Sequence, residues 1–260
     1  AEDFAYIPEG SEYMVSCFYP DEPMDSENNM KFKAEIKDAD IIINAFVYVG
    51  KELLDAMDHC RVISFQSTGY NEVDLEYAAK RNIGVVSIRD YCTQETAESA
   101  IADMLCLQRN VINYNRDIQE KRIWNSYLYP GMKRIEGQTM AVIGFGRIGQ
   151  HVARIAGKGL GMKVIAYDPF ITDAAVFEAD GVKKVDSLED LYRQADFLSL
   201  HIPATEQTRG SIGYELLMSM PKGATLVNTA RKEVIDEQGV VRALTEREDL
   251  KYITDIAAGN

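Results

Sequence analysis

From Asp40 onward the chain alternates short continuous apolar runs with stretches whose apolar residues recur at helical spacing. Residues 41–43, 62–65 and 84–88 read as strands, separated by helices over 52–57 and 73–81. Apolar runs bounded by turn residues predict parallel strands buried on both faces, and their alternation with helices predicts an α/β sheet. Before Asp40 the pattern is weaker, with a strand over 12–18 and a helix over 29–39. A long helix is expected to start at Thr93, an N-cap residue type with Glu95 in the first turn. Ala97, Ile101, Met104, Leu105 and Leu107 give it a broad apolar face, and it runs to about residues 115–119. A polar, aromatic stretch (Trp124, Tyr127, Tyr129) leads to a strand at Thr139, and further strands follow over 182–185, 196–200, 225–228 and 252–255. This is an α/β chain of two doubly wound parallel-sheet domains, expected over 1–93 and 94–260.

The stretch 138–168 holds the clearest chemistry. Met140 to Ile143 is apolar, Gly144-Phe145-Gly146-Arg147-Ile148-Gly149 follows, and Ile148, Val152, Ile155 and Ala156 then take helical spacing. A second apolar strand ends on Asp168, 19 residues after Gly149, close to the roughly 20 expected for a carboxylate that binds a ribose. In such a βαβ unit Gly144 permits the tight turn, Gly146 lets a pyrophosphate approach the backbone, and Gly149 lets helix and strand pack closely. The pyrophosphate sits on the helix N-terminus, where N–H groups and the macrodipole favour an anion. Ligands of open parallel sheets gather outside the carboxyl ends of the strands. That rule groups Asp168, His201, Asn228 to Arg231, and Asp255.

A net charge of −13 without a Lys/Arg cluster argues against nucleic acid or an anionic membrane as partner, and no apolar run is long enough to span a bilayer. Cys17, Cys60, Cys92 and Cys106 lack metal-ligand spacing. They are expected as buried free thiols in a reducing cytoplasm, with no metal site.

Several motifs in one order carry a family resemblance: Ser67-Thr68-Gly69-Tyr70, Thr96-Ala97-Glu98, the glycine turn with Tyr167-Asp168-Pro169, Leu200-His201-Ile202-Pro203 with Thr208, and Asn228-Thr229-Ala230-Arg231 with Ile235-Asp236. The chain resembles the D-isomer-specific 2-hydroxyacid dehydrogenases from about Asp40 to Asp255, and most of all the short D-3-phosphoglycerate dehydrogenases. The resemblance implies a flavodoxin-like substrate domain and a Rossmann NAD-binding domain with the active site in the cleft between them. It assigns backbone contacts with the pyrophosphate to Arg147 and Ile148, the ribose to Asp168, and the cofactor loops to His201, Pro203, Thr208 and Thr229. Asp255 falls near the nicotinamide carboxamide, the Thr68 and Gly69 backbone meets the substrate carboxylate, and Arg231 is the catalytic arginine. The implied activity is NAD-dependent hydride transfer at C2 of a small anionic 2-hydroxy or 2-oxo acid, 3-phosphoglycerate among them, by a homodimer joined through its nucleotide-binding domains. An arginine suits the chemistry, because its planar guanidinium holds a carboxylate while polarising the neighbouring carbonyl.

Two departures from the family stand out. Its acid/base histidine lies beyond Asp255, so these residues are expected to be part of a longer chain whose first domain also opens short. Where phosphoglycerate dehydrogenases place an arginine, this chain reads Asn44-Ala45-Phe46-Val47. Of the three histidines, His59 reads as solvated, His151 as lying on a helix's outer face, and His201 as a cofactor-loop residue. A non-catalytic NAD-binding sensor or corepressor of the same fold remains the alternative reading. Formate oxidation would need a polar amide near Phe46, which the sequence lacks.

Overall fold

The computed structural model describes residues 10–256 and divides into two compact units, Ala1–Tyr91 and Cys92–Asn260. The division falls two residues before the boundary expected from the sequence.

The first unit comprises α1 (Glu27–Ile36), β1 (Ile41–Asn44), α2 (Lys51–Asp55), β2 (Val62–Phe65), α3 (Leu75–Lys80) and β3 (Gly84–Ser87). Ser26 caps α1 by accepting the Asn29 N–H, and Asp74 caps α3 by accepting the Tyr77 N–H, each satisfying an N–H the helix leaves open. The strands are parallel, in the order β1-β2-β3. Right-handed crossovers that all advance in one direction put their helices on one face. Phe32, Ile36, Leu53, Leu54 and Ala78 accordingly pack with Ile63 and Phe65 in a single core.

The opposite face stays open, which corrects the expectation that residues 41–43 form a strand buried on both sides. Ile41 is 63% exposed and Ile43 55%. The run is apolar on both faces, but the described helices cover only one. Residues 12–18, expected as a strand, form none, since β1 pairs on one side with β2 alone.

The second unit comprises α4 (Thr93–Gln108), α5 (Val111–Lys121), β4 (Thr139–Ile143), α6 (Arg147–Arg154), β5 (Lys163–Tyr167), α7 (Ala175–Glu178), β6 (Lys183–Lys184), α8 (Leu188–Gln194), β7 (Phe197–Leu200), α9 (Tyr214–Met218), β8 (Thr225–Asn228), α10 (Glu237–Glu246) and β9 (Lys251–Thr254). Its six parallel strands run β6-β5-β4-β7-β8-β9. The chain winds outward from β4 in one direction, then returns to the other side, the order of a dinucleotide-binding fold. Alternate strand residues feed two cores. Ala141, Ile143, Leu198 and Leu226 face one layer with Leu191 and Val240. Met140, Val142, Phe197 and Val227 face the other with Ala97, Met104 and Val152. This sheet is therefore doubly covered.

The helix expected to run unbroken from Thr93 into residues 115–119 is two helices. Asn110 takes a left-handed conformation (φ 51°) and ends the first, a step Asn tolerates better than most residues. Thr93 is not the N-cap either. Cys92 holds that position at φ 54° without a side-chain cap, and Thr93 is the first helical residue. Of the cysteines, only Cys60 is buried and Cys17 is exposed, correcting the expectation of four buried thiols. No helix among the described residues is long and apolar enough to cross a membrane.

Candidate active site

Strand register assembles the candidate site within the second unit. Ile143 pairs with Tyr167 on one side and Leu200 on the other, Leu200 pairs with Asn228, and Asn228 with Thr254. The next residue of each strand therefore stands at one level along the carboxyl edge: Asp168, Gly144, His201, Thr229 and Asp255. All five were singled out from the sequence, and parallel pairing puts them in one row.

The glycine turn holds two tightly packed positions and one open one. Gly144 sits at φ +87°, and a Cβ there would run into the His201 backbone. A Cβ on Gly149 would strike the backbone oxygen of Gly144, so these two are required by packing. Around Gly146 a Cβ would meet nothing within 4 Å. The room lies in front of the N-terminus of α6, whose ladder begins with the Gln150 N–H donating to the Gly146 oxygen at 3.0 Å. The N–H groups of the first turn, at Arg147, Ile148 and Gly149, precede that ladder, so an anionic pyrophosphate fits there.

Asp168 has a part the sequence did not disclose. Its Oδ2 accepts the Phe145 N–H and its Oδ1 the Phe170 N–H, both at 2.9 Å. Each carboxylate oxygen keeps a second lone pair for a ribose hydroxyl. Phe145 is fully buried and stacks on Phe177 with centroids 4.6 Å apart, which holds the turn from below.

At the end of β7, His201 Nε2 meets Ser199 Oγ at 2.8 Å, while Nδ1 is buried with no hydrogen-bond partner. Burial lowers the imidazole pKa to about 4, so the ring is neutral at neutral pH. The following loop is stapled by Thr208, whose hydroxyl donates to the Pro203 oxygen at 2.6 Å and accepts the Thr205 N–H at 2.8 Å.

The turn after β8 is built on Asn228, which is completely buried and which no periodicity marks as special. Its side chain accepts the Ala230 N–H at 3.0 Å and donates to the Arg231 oxygen at 3.1 Å. Arg231 is thereby presented just past the strand end, with Nη1 donating to the Ala230 oxygen at 2.7 Å. Thr254 donates to the Asn228 oxygen at 2.7 Å and joins the last strand to this turn. Beyond it, Asp255 lies near Asp103 of α4, whose carboxyl is pushed up by burial and then by the Asp255 charge.

Thr68 and Gly69 belong to the first unit, in the loop after β2. Ser67 Oγ donates to the Gly69 oxygen at 2.8 Å, and Thr68 Oγ1 to the Tyr91 oxygen at 3.3 Å. Among the described residues no three His, Cys, Asp or Glu side chains group as a metal site.

A doubly covered parallel sheet with a glycine turn at a helix N-terminus and an acid at the end of the next strand defines a dinucleotide-binding domain. Residues 101–259 match the profile described as "D-isomer specific 2-hydroxyacid dehydrogenase, NAD binding domain". The chain belongs to the D-isomer specific 2-hydroxyacid dehydrogenase family, and its second unit is an NAD-binding domain.

It is 36% identical to a D-3-phosphoglycerate dehydrogenase of Methanocaldococcus jannaschii over 213 residues, 82% of this chain and 40% of the relative. To a glyoxylate reductase of Korarchaeum cryptofilum it is 35% identical over 216 residues, 81% of this chain and 64% of the relative. The chain thus spans less than two thirds of either relative. Among solved structures, NAD⁺-bound 3-phosphoglycerate dehydrogenase of Entamoeba histolytica superposes with a TM-score of 0.73 at 33% identity, covering 88% of this chain and 68% of that one.

Proposed function

We propose that the protein is an NAD-dependent oxidoreductase acting at C2 of a small anionic 2-hydroxy or 2-oxo acid. The observation that carries this reading is the row formed by Asp168, Gly144, His201, Thr229 and Asp255, with Arg231 two residues past Thr229. NAD supplies the hydride acceptor or donor. Gly146 and the first turn of α6 hold its pyrophosphate, and Asp168 takes the ribose hydroxyls. A 2′-phosphate there would meet a like charge, so NAD is preferred over NADP. Pro169 and Phe170 offer no arginine in compensation.

Arg231 takes the substrate carboxylate and polarises its carbonyl, a task for a planar, permanently charged fork. In the first unit, the backbone of Thr68 and Gly69 is the proposed contact for a substrate carboxylate. Arg231 does not deliver the proton, since its pKa lies above about 12. His201, half-buried and neutral, is a cofactor-loop residue in this reading.

A second copy of the chain is the proposed partner, joined through the nucleotide-binding domain. Helix α5 supports this. It buries only Asp117, while Val111 and Ile112 are 50% and 55% exposed, and Trp124 just beyond it is 91% exposed. Such a surface is apolar where a lone subunit should be polar.

The test is NADH oxidation by the full-length protein with a panel of 2-oxo acids, phosphohydroxypyruvate included, followed at 340 nm. Turnover of at least one is expected. Tight NADH binding with no acid turned over would overturn the reading in favour of a sensor.

A further inference from the structure

Gln150, the fourth residue of α6, holds two consecutive carbonyls of the glycine turn. Its backbone N–H donates to the Gly146 oxygen and its side-chain Nε2 to the Phe145 oxygen, both at 3.0 Å. The backbone bond is the ordinary first step of a helix ladder. The side-chain bond is not, because it reaches five residues back and fixes a peptide that lies before the helix. Helical side chains lean toward the N-terminus, which brings a glutamine at this position within reach of that carbonyl.

The far side of the Gln150 amide is held as well. Arg154 Nη2 donates to its Oε1 at 3.4 Å, and Arg154 Nε donates to Asp180 Oδ2 at 2.8 Å. Lys158 Nζ adds a 3.0 Å bond to Asp180 Oδ1. Arginine only donates, so the amide oxygen faces Arg154 and the NH2 group faces Phe145. Phe145 in turn stacks on Phe177 and gives its N–H to Asp168. Both peptide units flanking Phe145 are therefore fixed, one by Asp168 and one by Gln150. A trans peptide sets its N–H opposite to its C=O. With the Phe145 oxygen turned to Gln150, the Gly146 N–H points the other way, and among the described residues no protein acceptor takes it.

We propose that Gln150 is a positioning residue for the cofactor: it aims the Gly146 N–H at the pyrophosphate, with Arg154 and Asp180 holding the amide in place. The glycine motif leaves room at Gly146 and does not set the direction of its N–H; Gln150 does. This role rests on the reading above, which puts the pyrophosphate at the N-terminus of α6. A packing role accounts for the residue less well. The core beside the turn is built of Phe145, Phe177 and Val152, while Gln150 lies half-buried outside it. Filling space would not call for an amide aimed at one carbonyl and backed by an ion pair. A hydrogen bond accepted by a peptide oxygen also polarises that peptide and strengthens its N–H as a donor.

The experiment measures dissociation constants of NADH, ADP-ribose and adenosine for the full-length protein and for its Gln150→Met and Gln150→Ala variants. Methionine keeps the length of the side chain and loses its hydrogen bonds. Alanine, the best helix former, serves should the methionine variant fold poorly. NADH and ADP-ribose carry the pyrophosphate, whereas adenosine carries the ribose without it. Both variants should bind NADH and ADP-ribose about fivefold or more less tightly, with adenosine affinity within about twofold. Unchanged affinity for ADP-ribose in both variants, or an equal loss for adenosine, would overturn the positioning role and leave the cofactor reading standing. An unaltered protein that bound ADP-ribose no more tightly than adenosine would overturn both.

Discussion

Asp168 and Phe145, 23 residues apart, are joined by a 2.9 Å hydrogen bond from the Phe145 N–H to the Asp168 carboxylate. The acid proposed to take the cofactor's ribose is therefore also a fastener of the glycine turn. Asp168→Ala should narrow the preference for NAD over NADP and also weaken NADH binding. With a charge-assisted bond removed, it should lower stability by about 1.5–3 kcal/mol. Fluorescence titration with both cofactors and urea denaturation separate these effects. Equal affinity of the unaltered protein for NADH and NADPH would sink the ribose assignment.

Two glycines of the turn, Gly149 and Gly146, should respond differently to one added methyl group. Gly149→Ala drives a Cβ into the Gly144 oxygen and is expected to destabilise by roughly 1–3 kcal/mol. Gly146→Ala meets open space, so it should melt like the unaltered protein while NADH affinity falls about tenfold or more as the pyrophosphate is held off. Parallel melting curves and cofactor titrations check the pair. Two variants that lose stability alike would contradict the division.

Legibility in the sequence differed between the two units for a physical reason. Strands 4, 5, 7 and 8 in chain order are mainly apolar on both faces because helices cover both, so pattern and environment agree. The three isoleucines at 41–43 carry the same pattern, yet Ile41 and Ile43 face outward. A sequence shows that a face is apolar without showing what covers it. The row of site residues was foreseeable because glycines, an acid and strand ends are local signals. The polar fastenings were not. Asn228 gripping its own turn, Asp168 gripping Phe145 and Asp196 accepting the Thr139 N–H at 2.9 Å leave no periodic trace, and the last joins residues 57 positions apart. Nor does the left-handed φ at Phe46 or Asn110 show in composition.

Arg231 is predicted to act on the acid far more than on the cofactor. Arg231→Lys keeps the charge and loses the paired donors, so kcat/KM for the preferred 2-oxo acid should fall about a hundredfold or more, with NADH affinity within about twofold. Stopped-flow binding and steady-state rates on the same preparation distinguish the two. A lysine variant with near-normal turnover would remove Arg231 from the substrate's carboxylate.

His201 makes stability sensitive to mild acid. Its folded pKa, lowered by burial to about 4, lies below the roughly 6.5 of an unfolded chain, so the unfolded state binds the extra proton. Stability is full above about pH 6.5 and declines as pH falls toward 4, by up to about 2–3 kcal/mol from this group. Asp249, held near 2 chiefly by Arg247, loses its contribution only in a lower window, below about pH 4. Urea denaturation between pH 7.5 and 4.5 should show a shallower decline for His201→Asn than for the unaltered protein. Identical slopes would mean that another group titrates.

Because five residues of the site are defined as the next position after in-register pairs, the site has the error tolerance of a ruler. Lengthening a helix or surface loop by one residue leaves every mark in place. Deleting one residue inside β4, β7 or β8 shifts its mark by about 3.3 Å and turns that strand's inward side chains outward. Change in this domain is thus cheap between the strands and prohibitive within them, so substrate choice has most freedom in loops that the ruler does not measure.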